Sequence, residues 1–549
     1  MTAPAANQTR ADRWQQLATR TSTSLLGRDT PSDFALVLAT FAVFVVLDRW
    51  TSQIALIEAA DLERFSLNVA AAGDRWWLLV PLAAVFVAGF AIRPAEMLAP
   101  WSTLQHGTAL RVATVVLAGL LAWQSSLYGV NFLAGQVHAI DRILVVVLAL
   151  AVAARPSAIV PFVLVVRVSN EQFLHPFGTA AAKNVDELII LALLSIAATH
   201  AIYVLTRRTD TSAALLIASA AVAAHFFLPG RGKLANDWLQ TNDVSEFPLS
   251  SWTAGWLAHT DGGFPEAMSA FYETFSWPVL VGTLVIEVGA IVGVFHPKLF
   301  RLWLAGFIAF HAMTFATTGF FFLGWTLLEV ALLVAVAAPQ FRSWIAANAT
   351  PARGLLAAGA VLAGAQLFHP PGLAWLDAPV SYGYRLEATG VSGEVYNVPL
   401  GAVDPYSQDL SFLRPQLADR PLGTAGYGAI ITHEELNELR AIQDFESLEA
   451  HERALGPPPD TSVSIEFVVS YFDHVNSGER RSWFGLGPPQ RYWNSRDEPV
   501  FDFDEPLQRL DVFILAAIHT DDGVIRELRP VLAVEADSSG RGVVTATTP

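Results

Sequence analysis

Long apolar runs separated by short polar loops fill the first two thirds of the chain. Runs at 34–56, 76–92, 112–130, 139–154, 188–205, 213–228, 275–294, 299–319, 320–338 and 355–368 are predicted to form helices that enter a bilayer, since a spanning helix needs ~20 apolar residues. The run 158–166 is too short for an ordinary span and reads as re-entrant. Arginine-bearing segments at 1–33, 206–210, 296–301 and 340–344 mark cytoplasmic ends by the positive-inside rule. That places 229–274, and everything after Pro370, outside. The alternation does not close with four spans before Leu188. One more crossing between Arg155 and Val185 would restore it. Trp76, Trp77, Trp101, Trp252, Trp256 and Trp277 lie near run ends, as interfacial aromatics do.

After Pro370-Pro371 the pattern becomes that of a soluble domain. Segments 383–390, 462–472 and 510–519 are rich in β-branched and aromatic residues and are predicted as strands. Thr432 and Glu435 form a capping box, which starts a helix running to about Leu455 and stopped by the Gly-Pro-Pro-Pro-Asp of 456–460. The predicted fold class is an all-α polytopic membrane bundle of about nine to eleven transmembrane helices, followed by a β-rich α+β soluble domain. The divisions are a polar cytoplasmic N-terminus (1–33), the bundle (34–369) and an extracytoplasmic domain (370–549). The N-terminal segment has no apolar core before Phe34 and so does not read as a cleaved signal peptide.

Composition narrows the class. Hydrophobic residues make up 53% of the chain and charged ones 15%, too few charges to cover a soluble protein of this size. Cysteine is absent, which excludes thiol redox chemistry, disulfides and iron–sulfur ligation by Cys. The net charge of −16 is concentrated in the tail, where 28 acidic residues face 13 basic ones from Asp377 onward. An acidic tail repels phosphate backbones, so nucleic acid is not an expected partner. The Ala- and Arg-rich composition suits a bacterial inner membrane.

Ionisable groups within apolar runs are costly and each is a functional candidate. Glu287, His311 and Glu329 lie mid-run, and His225 precedes a run end. The carboxyls read either as proton-handling groups or as interhelical hydrogen-bond partners; the imidazole of His311 suits proton movement. No pair in the apolar core has the His-x-x-x-His or Glu-x-x-His spacing of a metal site, so no metal is expected. The stretch "HFFLPGRGKLANDWLQ" (225–240) reads as a Gly-rich exit from the membrane carrying Lys233, with Asp237 four residues on. Such a lysine either snorkels to water or folds into a dry site where it can act as a base; Asp237 would then orient it or form a structural pair with it. The acidic run 496–506 lacks the spacing of a calcium loop and reads as a solvated loop.

That stretch also resembles the segment of vitamin K-dependent gamma-carboxylases in which an apolar run ends in Gly-x-x-Lys-Leu-x-x-x-Trp, here Gly230, Lys233, Leu234 and Trp238. A second match follows in order. Glu287 and Gly289 lie in one apolar run, and Phe310, His311, Met313 and Gly319 in the next. The likeness covers roughly 188–339 and extends to the wider horizontally transferred transmembrane domain superfamily. The resemblance implies that Lys233 is a base acting on a reduced quinone. Oxygen would convert the quinone to a strong base that removes a proton from a glutamate side chain, and carbon dioxide would add. The family's Asn-His pair has its nearest counterpart at Asn184-Val185, where valine stands in place of histidine.

Two functions follow as expectations. One is a quinone-coupled membrane enzyme with Lys233 as base, His311 as relay or substrate orienter, and Glu287, Asp237, His225 and Glu329 supporting. The other is a non-enzymatic scaffold whose outer domain binds another envelope protein. Membrane lipid is a partner in both, and a peptide substrate at the C-terminal domain is possible only in the first.

Overall fold

A computed structural model describes residues 26, 29–127, 135, 137–173, 181–208, 210–235, 238–241, 244–257, 263–294, 297–319, 321–337, 347–369, 379–403, 410, 413, 433–456, 461–478, 505–520 and 522–547. The helices of the first part are α1 (Pro31–Ile54), α2 (Leu67–Asp74), α3 (Trp76–Ile92), α4 (Gly107–Leu127), α5 (Ala139–Ala154), α6 (Ile159–Asn170), α7 (Ala181–Thr206), α8 (Thr211–Ala235), α9 (Glu246–Thr253), α10 (Gly263–Thr274), α11 (Ser276–Gly293), α12 (Pro297–Thr318), α13 (Leu323–Ala337) and α14 (Pro351–Leu362). Six helices among the described residues are long and apolar enough to cross a membrane, or seven if α2 and α3, bent by 94° at their junction, count as one broken span. Length and composition alone therefore stop short of nine. The chain is a multi-pass membrane protein.

Packing explains which helices sit inside. α7 and α8 are apolar on all faces and buried along most of their length, as expected of helices enclosed by others. Ala213, Ala214, Ala218, Ala220, Ala221, Ala223 and Ala224 line α8; small side chains let neighbouring backbones approach closely. The outer helices instead expose Val46, Val85, Val285 and Leu302, side chains that lipid tolerates and water does not.

Polar residues gather at two ends of the bundle. At one end Arg353 binds Asp29 at 2.8 Å and Asp210 at 2.9 Å, Arg207 binds Glu96 at 2.5 Å, and the Trp101 indole donates to the Val152 carbonyl at 3.0 Å. At the other, Arg167 meets Asp48 and Glu187, while Asp141 accepts from Ser66 at 2.6 Å and from the Leu67 amide at 2.7 Å. The end of α5 belongs to the first group and the end of α6 to the second. Thus α6, with the 3-10 turn Pro156–Ala158 before it, runs from one end to the other. The run expected at 158–166 is a helix of twelve residues, shorter than the described helices that are long and apolar enough to cross a membrane.

The C-terminal part holds a five-stranded antiparallel sheet in the order β2-β1-β3-β4-β5. Its strands are β1 (Val380–Gly390), β2 (Val395–Val398), β3 (Leu507–Thr520), β4 (Gly523–Ala536) and β5 (Gly542–Thr547), with helices α15 (His433–Arg440), α16 (Phe445–Leu455) and α17 (Ser462–Asn476) between β2 and β3. The strands expected at 383–390 and 510–519 are present. The one expected at 462–472 is helix α17. Its β-branched residues suggested a strand, but Phe467, Val468, Tyr471, Phe472 and Val475 are all buried. They recur at helical spacing, a stripe that the sheet core can cover. Tertiary packing overrides the local propensity there. The single helix expected to end near Leu455 is broken between α15 and α16, where Asp444 caps the second through the Ser447 amide at 2.7 Å; Thr432 lies outside the described residues.

The sheet is covered on both faces. Tyr382, Tyr384, Leu386, Ile514 and Ala516 join α17 in one core. On the opposite face Gly383 lies against the Thr253 carbonyl at the end of α9, where a Cβ would overlap that oxygen. Double coverage accounts for the unbroken buried run of β3 from Ile514 to Ile518. At the sheet's far edge the Glu505 carboxylate accepts from the Ser392 amide at 2.8 Å and from the Ser392 and Tyr396 hydroxyls. The Ser392 amide bond, foremost, holds the Glu505 carboxyl below its usual 4.5. Because the value is depressed in the folded state, this contribution is complete above pH 4.5 and is lost as pH falls through the folded value. The Ser392 amide resonance should follow a titration with a midpoint below that of a free glutamate; a midpoint at the free value would contradict the contact.

Candidate functional site

Lys233 sits on a helix rather than in an exit loop. α8 continues through Pro229, Gly230 and Gly232 to Ala235, so the Gly-rich turn expected there does not form. Gly230 serves packing instead. A Cβ on it would lie 2.7 Å from the Glu287 Cβ and 3.0 Å from the Val288 backbone nitrogen, so only glycine lets α8 and α11 come this close. Gly230→Ala should destabilise the fold by about 1–3 kcal/mol through overpacking, seen as a lower unfolding midpoint in detergent; an unchanged midpoint would show that the two helices separate freely.

The close approach delivers Lys233 Nζ to Glu287 Oε1 at 2.5 Å, with both side chains buried. The amine also lies 5.1 Å from the centre of the Trp238 ring. Among the described residues Glu287 Oε2 has no hydrogen-bond partner. Asp237, expected to pair with or orient Lys233, lies outside the described residues.

The second pair is two turns away. His311 Nδ1 is 3.1 Å from Glu329 Oε2, and both residues are fully enclosed. His311 packs against Phe322 (5.0 Å), Phe226 (5.4 Å) and Trp325 (5.8 Å). Phe226 and Lys233 are seven residues apart on α8, hence on one stripe and roughly 10 Å from each other along the axis. His225 stands perpendicular to Trp325 at 5.3 Å. Its Nδ1 is 2.8 Å from the Ala221 carbonyl. A carbonyl only accepts, so Nδ1 carries the hydrogen and Nε2 is left as a lone pair; that nitrogen is buried, with no partner among the described residues. The structure thus brings five of the six sequence candidates into two acid–base pairs and one neighbouring imidazole. It does not place the two pairs in contact.

Sequence reasoning missed a third group. Arg167 Nη2 donates to Asp48 Oδ1 at 2.7 Å and to Glu187, while Nη1 donates to the Thr51 hydroxyl at 2.6 Å. Nearby, Arg142 donates to the carbonyls of Val137 and Ser126 and to Gln172. A charge inside an apolar run was available as a signal at Asp48. Arg167 directly follows the short run 158–166, where the sequence alone does not mark a charge as enclosed. Side chains at 184–186 and the acidic stretch 496–504 lie outside the described residues. Among the described residues no group of three or more His, Asp or Glu is placed to hold a metal ion.

Comparison with protein-family models, with curated proteins and with solved structures found no match to this chain.

Proposed function

We propose that the chain is a proton-transferring membrane enzyme acting with a reduced quinone, in which Lys233 is the base and Glu287 exchanges its proton. The observation that carries this reading is the Lys233–Glu287 contact at 2.5 Å between two buried side chains. An isolated buried cation is untenable in hydrocarbon. A lysine and a carboxyl at hydrogen-bond distance can hold one proton between them, and the amine is then able to take a second from a substrate hydroxyl. Glu287 Oε2, with no hydrogen-bond partner among the described residues, gives that proton somewhere to go.

The residues fit a flat, partly polar lipid head group. Among the described residues, His225 and the His311–Glu329 pair lie beside the aromatic rings of Phe226, Phe322 and Trp325, and the Lys233–Glu287 pair lies about two turns further along α8. Lys233 and His311 would hold its hydroxyls, and the aromatic walls would exclude water. A reduced quinone would supply an ionisable hydroxyl and two electrons, with oxygen as the co-reactant that accepts them. The likeness to gamma-carboxylases supports the role of Lys233 as the base. In this reading eleven helices traverse a bacterial inner membrane (α1, α3 to α8 and α11 to α14). The arginine-bearing end, with Arg207, Arg208 and Arg353, is cytoplasmic, and the sheet domain is extracytoplasmic.

A scaffold is the second reading, favoured by the matching of charges within the bundle. Lys233 is met by Glu287, His311 by Glu329, and Arg167 by Asp48 and Glu187. Proteoliposomes containing the full chain and a reduced quinone separate the two. The enzyme consumes oxygen only when the reduced quinone is present, and the scaffold leaves the quinone reduced.

A further inference from the structure

Segment 246–257, which begins with α9, sits between the C-terminal sheet and α12, one of the four helices that carry the acid–base pairs. On its outer side Ala254 and Trp256 are buried in the sheet domain's own core. Gly383 of β1 abuts the Thr253 carbonyl, and His519 of β3 contacts Glu246. Arg526 of β4 lies 3.9 Å from the Trp252 ring centre and 3.9 Å from Glu266 of α10. On its inner side the Trp256 carbonyl presses on Gly319, the left-handed residue (φ +72°) that ends α12; α12 carries His311. The turn Trp238–Thr241 precedes the segment, and its Trp238 ring faces Lys233. Glycine at 319 and at 383 leaves no side chain to cushion either contact.

We infer that segment 246–257 is a rigid strut by which the C-terminal domain sets the positions of Lys233 and His311, so that whatever moves that domain is felt at the buried pairs. The inference does not depend on the chemistry proposed above. Two packed contacts without intervening side chains transmit displacement rather than absorb it.

Gly383→Val places a wedge at the sheet contact. Hydrogen–deuterium exchange on the full chain in lipid should then rise about tenfold in 246–257 and in the last turns of α8 and α12. The opposite end, around Arg353 and Asp210, should be unchanged. Arg526→Ala removes the Trp252 contact without adding bulk and should produce the same pattern with smaller amplitude. If Gly383→Val does not fold, Arg526→Ala alone decides. Faster exchange confined to the sheet domain, or spread evenly through the bundle, would overturn the inference.

Discussion

Lys233→Met should lower quinol-dependent oxygen uptake by about 10²–10⁴-fold, the range lost when a positioned acid–base group is removed. Methionine keeps the length and apolar stem of lysine, so the close passage of α8 past α11 at Gly230 is retained. What disappears is the only amine within reach of Glu287 Oε1 among the described residues. Glu287→Gln should cost less, since an amide still accepts from the amine but cannot take its proton. The ordering separates chemistry from packing. If the pair only staples two helices, removing either partner should lower the unfolding midpoint with no distinctive effect on turnover. A scaffold would show no turnover to lose.

Arg167→Met is expected to have the largest effect on stability, about 3–5 kcal/mol, because it leaves two carboxylates without their cation. Asp48 and Arg167 are almost wholly enclosed and Glu187 is largely so. The same guanidinium also donates to the Asp48 carbonyl at 2.8 Å, so α1, α6 and α7 share one hub. Substituting all three partners with apolar residues of similar volume should recover most of the loss, since the cost arises from uncompensated charge rather than from the missing pair. Unfolding midpoints of the single and triple variants check this directly. A single variant as stable as the parent would mean that the cluster is hydrated and contributes little.

The bundle was largely legible because each of its long helices coincides with an apolar run, and strands β1 and β3 because apolar residues alternate along β1 and run on through β3. Three things were not legible, each for a physical reason. The helix α17 uses strand-forming residues on a helical stripe, and only the sheet core decides between the two. Pro229 and two glycines read as a turn, but the helix continues through them with one face, at Gly230 and Lys233, buried, and Gly230 turns out to serve contact with α11. Partners across helices cannot be read from one run. Glu287 was singled out for its position, while its pairing with Lys233 rests on a meeting of residues 54 apart in the chain. Asp48 lies inside an apolar run, but its partners Arg167 and Glu187 flank two other runs, where a charge is ordinarily expected to reach water.

The chain contains three lysines, Lys183, Lys233 and Lys298, so the protonation of the central one can be observed directly. Full-length protein labelled with 15N at the lysine side chains and held in lipid should give few resonances, with the Lys233 signal assigned by its loss in Lys233→Met. On addition of a reduced quinone that signal should shift, because the amine exchanges a proton with the substrate and with Glu287, and the shift should be altered in Glu287→Gln. A Lys233 resonance that stays unmoved at saturating reduced quinone would contradict the proposed role of this residue as the base.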